Sequence, residues 1–332
     1  MTRLCQIAED LGPNSISLLI DSLDALDMLT QKCHDIPHPF GVFVKLDTGN
    51  YRAGISPDSE QYRDILKRIK AHHDEGSIAF RLRGFYSHMG ISYGSNSTSD
   101  ALNFLTQEIQ RCEIAATQAR NLLPDIPLTI AVGATPTALA AQNLFDGLEE
   151  SAAIKRTKAL IQQTKEKFAV ELHAGAYCVL DMQQLAARSR PEGANLGYGD
   201  IALSVFAEVA SLYPHRSPPE ALIACGCLCL GRESCRSYSG MGVVTPWTDY
   251  PVSSSGHYDP HGTRTGWIVN RIAQEHGLLS WEGPQENMRM LRLGEKVQIW
   301  PNHCCITAAN FGFFLIVDGT KDQDTKDRVI DV

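Results

Sequence analysis

LTIAVGATPTALAAQNLF, residues 128–145, decides how the first half of the chain is read. Leu128 to Val132 is a short apolar run with the length of a buried strand, and small residues and hydroxyls then lead into a helix candidate from Pro136 to Phe145. The same unit recurs on both sides of it. Ile16 to Ile20, Val42 to Leu46, Ala79 to Tyr86 and Phe168 to Leu172 read as buried strands. Helix candidates lie at Ser22 to Lys32, Glu60 to His73, Ala101 to Leu122 and Ala152 to Lys167. Strict alternation predicts parallel βα units, in a barrel or in an open doubly wound sheet. Five strands are visible, whereas a closed barrel of this type has eight.

Beyond Gly197 the texture changes to closely spaced β-like runs, clearest at Ala202 to Ala210, Leu222 to Leu230, Lys296 to Trp300 and Phe313 to Val317. This predicts a second, mostly β domain. The boundary falls between Arg188 and Asp200, where SRPEGANLGYGD supplies Pro, Gly and polar residues, and divides the chain into 1–198 and 199–332. A Ser-, Gly- and Tyr-rich stretch with three prolines, Arg236 to Thr265, reads as an active-site loop or an insertion.

At 332 residues and 43% hydrophobic content the chain can bury one large barrel core or two domains. A net charge of −8 with interspersed signs leaves no basic stripe, so a small molecule and not nucleic acid is the expected partner. No apolar run is long enough to cross a bilayer and the first residues lack the order of a signal peptide, so neither a membrane partner nor secretion is expected. Ten cysteines without a compact even framework read as reduced thiols, in keeping with a cytosolic protein.

Polar groups gather where the βα strands end, the face on which such sheets hold ligands. GFYSHMGISYG sets out Tyr86, His88 and Tyr93; ELHAGAY ends the last strand with Gly175, which permits close backbone approach. VGATPT, residues 132–137, offers backbone N–H groups and Thr135 to an anion at a helix start, or is simply a helix start with Thr135 as its cap. In WPNHCC, residues 300–305, an extended chain would turn His303 and Cys305 to one face, offering an imidazole and a thiolate to a borderline cation such as zinc. Two protein donors would leave positions for water, substrate or a distant residue. The plainer reading is two half-buried side chains at a strand end.

Taken together and in this order, VKLDTGNYRAG, GFYSHMGISYG, VGATPT, ELHAGAY, QEHG and PNHCC resemble the zinc- and pyridoxal-phosphate-dependent D-serine dehydratases, relatives of D-threonine aldolase. The resemblance runs from about Ser15 to Asp331, and PNHxC is its most specific element. It implies an incomplete alanine-racemase-type (TIM-like) α/β barrel that binds pyridoxal phosphate, followed by a mostly β C-terminal domain with a metal site. By matching, His303 and Cys305 fall on the zinc ligands, and Tyr86, Tyr93, Thr135, Gly175 and Ala176 on positions that hold pyridoxal phosphate. The aldolase branch carries a carboxylate where Cys305 stands, which favours the dehydratase. The implied reaction is elimination from D-serine to give pyruvate and ammonia, in a homodimer that shares residues across its active site.

Two departures from the family pattern stand out. The family's cofactor lysine lies in an Arg-Pro-His-x-Lys-Thr-His segment on the first barrel strand, and nothing here resembles it, so no catalytic lysine is assigned. Lys45 is nearest in setting, but its segment matches a later strand. With the five-strand count, this gives the expectation of a truncated chain, starting at the helix after the family's second barrel strand. The second departure is Ala176, where the family has asparagine, so one hydrogen bond to the phosphate would be missing. The alternatives are aldolase-like cleavage and a catalytically inactive chain that binds pyridoxal phosphate or serves as a subunit.

Other signals read more plainly. Cys225, Cys227 and Cys229 would share one strand face, as small buried residues or as a second metal site. His257 and His261 read as loop residues, because Pro260 and Gly262 preclude a helical face. His72 and His73 are expected to be solvated at a charged helix end. His276, in QEHG, reads equally as a residue near the active site or as a brace of the fold.

Overall fold

Serine hydroxyls start four helices of the parallel sheet. Ser22, Ser59, Ser97 and Ser151 each accept the backbone N–H three residues on, at 3.1–3.3 Å, which satisfies a donor the helix itself leaves open. They open α2 (Leu23–Lys32), α3 (Glu60–Asp74), α4 (Thr98–Leu122) and α6 (Ala152–Lys165). The computed structural model describes residues 1–33, 38–76, 79–146, 151–191, 193–194, 196–246, 264–317 and 328–331. It divides into two compact units, 1–174 with 187–191, and 175–186 with 192–332.

In the first unit, α1 (Thr2–Leu11) precedes the strands β1 (Ser17–Ile20), β2 (Phe40–Lys45), β3 (Phe80–Tyr86), β4 (Thr129–Val132) and β5 (Ala169–Leu172); α5 (Thr135–Gln142) follows β4. All neighbouring strands pair parallel, in the order β1-β2-β3-β4-β5. The five strands and their helices match the sequence reading to within three residues at each end. The exception is α1, whose start has no side-chain cap bond and so no sequence signal. Val42, Val44, Phe85, Ile130 and Val132 are buried in the centre, whereas Leu19 on β1 and Leu172 on β5 are 52% and 42% exposed at the sheet's edges. Among the described residues this is a five-stranded parallel sheet in the α/β arrangement expected from the sequence.

The expected second β region is a closed antiparallel barrel. After α7 (Met182–Ala187) come β6 (Val205–Tyr213), β7 (Glu220–Ile223), α8 (Cys227–Leu230), β8 (Gly242–Pro246), β9 (Gly266–Ile272), β10 (Gly277–Glu282), β11 (Lys296–Pro301) and α9 (Cys304–Ala308). The six strands close in the order β10-β7-β6-β11-β8-β9. Along β6, Val205, Ala207 and Val209 point inward and Phe206, Glu208 and Ala210 outward, the alternation of a barrel wall. Val209, Ile223, Val269, Leu279, Val297 and Ile299 fill the interior. A separate hairpin pairs β12 (Phe313–Ile316) with β13 (Arg328–Asp331).

Several expectations are corrected. Leu222 to Leu230 is not one strand. β7 ends at Ile223 and Gly226 opens α8, packed so closely on the β9–β10 turn that a Cβ there would lie 2.5 Å from Gln274 O. Cys225, Cys227 and Cys229 therefore share no strand face. Cys225 is buried, which pushes its thiol pKa up. His72 is not solvated: it stacks on Phe80 with ring centroids 4.0 Å apart, and burial lowers its pKa. His73 is exposed. Gln274, Glu275 and His276 of QEHG form the exposed β9–β10 turn, closed by a bond from Ala273 N–H to His276 O at 2.9 Å, and the buried Gly277 opens β10. His257 and His261, with most of the second half of the 236–265 stretch, lie outside the described residues. Among the described residues no helix is long and apolar enough to cross a membrane.

Candidate functional site

In the first unit the polar cluster forms at the carboxyl ends of the parallel strands, where open α/β sheets take their ligands. Lys45 ends β2 and Tyr86 ends β3. The Lys45 ammonium stands 4.7 Å from the Tyr86 ring centroid, and His173, just past β5, meets the same ring edge-on at 5.1 Å. Burial lowers the Lys45 pKa, opposed chiefly by the charge of Glu108. Glu108, on α4, is fully buried and neither carboxylate oxygen makes a well-formed hydrogen bond among the described residues. Burial pushes its pKa up to about 7, although the Ser87 hydroxyl, the Gly133 and Met89 N–H groups and Lys45 all favour the charged form.

The turn after β4 is built by glycine. Gly133 has φ +138°, and a Cβ there would lie 2.3 Å from His173 O. Only glycine lets the two strand ends approach so closely. His88 donates from Nδ1 to the Gly133 carbonyl at 3.2 Å. Thr135 is buried but is not the cap of α5; Ala134 holds that position, and its N–H is accepted by Thr137 Oγ1 at 2.9 Å. Tyr93 is half-buried in the 3₁₀ turn Gly90–Gly94. Gly175 and Ala176 belong to the second unit, where the buried Ala176 starts the 3₁₀ turn Ala176–Cys178.

In the second unit the PNHCC segment is anchored before it presents anything. Asn302 is buried; its amide donates to Glu233 O and Gly240 O, both at 2.8 Å, and its Oδ1 accepts from the Tyr238 hydroxyl. The chain is extended at His303 but not beyond it, because α9 begins at Cys304. Cys305 therefore sits in the first turn of α9, exposed, and not across an alternating strand from His303. The helix starts there because Asp181 Oδ2 accepts the Cys304 N–H at 2.9 Å. Its other oxygen accepts the Gln184 N–H at 3.0 Å and so starts α7. Burial raises the Asp181 pKa against both of these bonds.

Sequence reasoning missed Asp181 and Gln183. Gln183 Oε1 lies 2.7 Å from His303 Nδ1, its Nε2 donates to Ser234 O at 2.8 Å, and its backbone N–H donates to Asn302 O at 3.2 Å. An aspartate just ahead of a helical run is a cap signal that could have marked Asp181. Nothing local marks Gln183, which meets His303 across 120 positions. Among the described residues no group of three or more His, Cys, Asp or Glu is placed to hold a metal ion.

The "Alanine racemase, N-terminal domain" family model matches residues 5–149, and the "Putative serine dehydratase domain" model matches residues 202–317. An alanine-racemase-type unit followed by a dehydratase-type β domain is the class of protein that this fold and these matches define. The chain is 32% identical to a D-serine dehydratase of Schizosaccharomyces pombe and 30% identical to one of Saccharomyces cerevisiae, over 92% of its length in each case. Its sequence is similar to the D-serine dehydratases over nearly all of its own length. It spans 65% and 66% of the length of these two relatives. A solved structure of D-threo-3-hydroxyaspartate dehydratase, a cysteine-to-alanine mutant in the metal-free form, shares the fold: the TM-score is 0.65 at 22% identity, covering 95% of this chain and 71% of that one.

Proposed function

We propose that the protein is a lyase of the D-serine dehydratase type, using pyridoxal phosphate and zinc to remove water from D-serine, with hydrolysis then giving pyruvate and ammonia. The observation that carries this reading is the presentation of His303 by Gln183, with Cys305 two positions on, in a chain similar to D-serine dehydratases. An imidazole nitrogen and a thiolate suit zinc, and two donors leave it open positions. His303 and Cys305 would hold the ion, which supplies Lewis acidity toward the substrate hydroxyl.

The first unit suits a phosphorylated aromatic cofactor. Tyr86 and Tyr93 offer ring faces and hydroxyls, while the Gly133 turn with Thr135 offers a close backbone approach at the start of α5. By the family resemblance Gly175 and Ala176, in the second unit, are further cofactor-binding positions, Ala176 without a polar side chain. Pyridoxal phosphate, when bound, supplies an electron sink for the charge left at Cα. His88, donating to Gly133 O, and Tyr86, held between Lys45 and His173, are positioned groups that fix this end of the sheet. A cytosolic homodimer is the proposed assembly.

A second reading is a chain that binds pyridoxal phosphate without turnover or acts as a subunit. Incubating the purified protein with pyridoxal phosphate, zinc and D-serine separates the readings. Pyruvate formation supports the dehydratase, glycine with an aldehyde from D-threonine would replace it by an aldolase, and cofactor binding with neither product supports the second reading. Light scattering on the same sample tests the dimer.

A further inference from the structure

We propose that Gln183 is a positioning residue for the metal donor His303, its amide fixing the imidazole in the tautomer whose Nε2 carries the lone pair. The proposal rests on the reading of His303 and Cys305 as zinc donors. Gln183 Nε2 donates to Ser234 O at 2.8 Å, so it is the amide oxygen that faces His303 Nδ1 at 2.7 Å. An amide oxygen only accepts, so Nδ1 carries the proton and Nε2 is the basic nitrogen. Such an N–H···O=C bond both orients an imidazole and raises the basicity of its other nitrogen.

The amide is held from both sides. The Gln183 backbone N–H is tied to Asn302 O at 3.2 Å, one residue before the histidine it serves. Asn302 in turn clamps Glu233 O at 2.8 Å, next to the Ser234 carbonyl that orients the amide. A residue that only tied α7 to the end of β11 would need the backbone bond alone. The side chain adds a choice of tautomer, which matters only to whatever binds Nε2.

The test uses the full chain with zinc as the probe. Wild type, Gln183→Leu, Gln183→Glu, His303→Ala and Cys305→Ala are compared by zinc competition against a chromophoric chelator. Histidine ¹⁵N shifts of the zinc-free proteins report the tautomer. Gln183→Leu is expected to weaken zinc binding about 10- to 100-fold and to move His303 away from the Nδ1–H form; Gln183→Glu, which keeps an acceptor, restores both. Unchanged affinity and tautomer in Gln183→Leu, with binding lost in His303→Ala, would overturn the positioning role and leave the metal reading standing. Wild-type zinc affinity in both His303→Ala and Cys305→Ala would overturn the metal reading and the proposal with it. Should Gln183→Leu not fold, the wild-type tautomer decides, an Nε2–H ring overturning the proposal.

Discussion

Asp181 and Cys304, 123 positions apart in the sequence, are joined by a 2.9 Å hydrogen bond from the Cys304 N–H to the Asp181 carboxylate. The same carboxylate accepts the Gln184 N–H, so one buried side chain starts both the helix that carries Gln183 and the helix that carries Cys305. Asp181→Ala removes two capping bonds and is expected to destabilise the second unit by about 2–4 kcal/mol, at about 1–2 kcal/mol per cap. Asp181→Asn keeps one acceptor and should cost less. Urea unfolding of the two variants checks the order; equal midpoints for Ala and wild type would mean that the caps carry no stability.

At Gly133, φ is +138° and a Cβ would lie 2.3 Å from His173 O, whereas Gly76 has φ +68° with nothing within 4 Å. Both positions strain an alanine, but only Gly133 adds a backbone collision. Gly76→Ala is therefore expected to cost about 1 kcal/mol, and Gly133→Ala upward of about 3 kcal/mol. The Gly133 change should also abolish pyridoxal phosphate binding. A difference in urea midpoint between the two variants is the measurement, and similar losses would contradict the close approach.

The buried Glu108 carboxyl has its folded pKa raised from 4.5 to about 7. The folded protein therefore holds this proton between pH 4.5 and 7 while the unfolded chain has released it, so stability falls as pH rises through that window. The full effect is about 3 to 4 kcal/mol, at about 1.4 kcal/mol per pKa unit. In Glu108→Gln this contribution should vanish, leaving a flatter stability profile from pH 4.5 to 8. A variant whose profile runs parallel to that of wild type would show that Glu108 does not titrate there.

The parallel unit was legible because its signals are local. Serine caps, apolar strand cores and the glycine after β4 each act within a few residues of where they are read. The barrel strands were harder. In β9, Asn270 and Arg271 interrupt the apolar run Trp267 to Val269, and closure of the barrel supplies the burial that the sequence does not advertise. His72 departed from its expected solvation because Phe80, on the next strand, covers its ring. Thr135 does not cap α5 because it is already the first helical residue, with Ala134 at the cap position and the Ala134 N–H accepted by Thr137 Oγ1. His303 and Cys305 could be picked out by residue type, but their setting could not. The bonds from Asp181 and Gln183 that set the helix start and the imidazole come from more than a hundred residues away.

The central claim is that His303 and Cys305 together hold one zinc ion. Zinc-edge X-ray absorption on the zinc-loaded protein reads the donor set directly. The account predicts one sulfur at about 2.3 Å, one imidazole nitrogen at about 2.0 Å and the remaining positions filled by oxygen, with the sulfur shell lost in Cys305→Ala. A shell of two or more sulfurs, or a spectrum unchanged by Cys305→Ala, would contradict it.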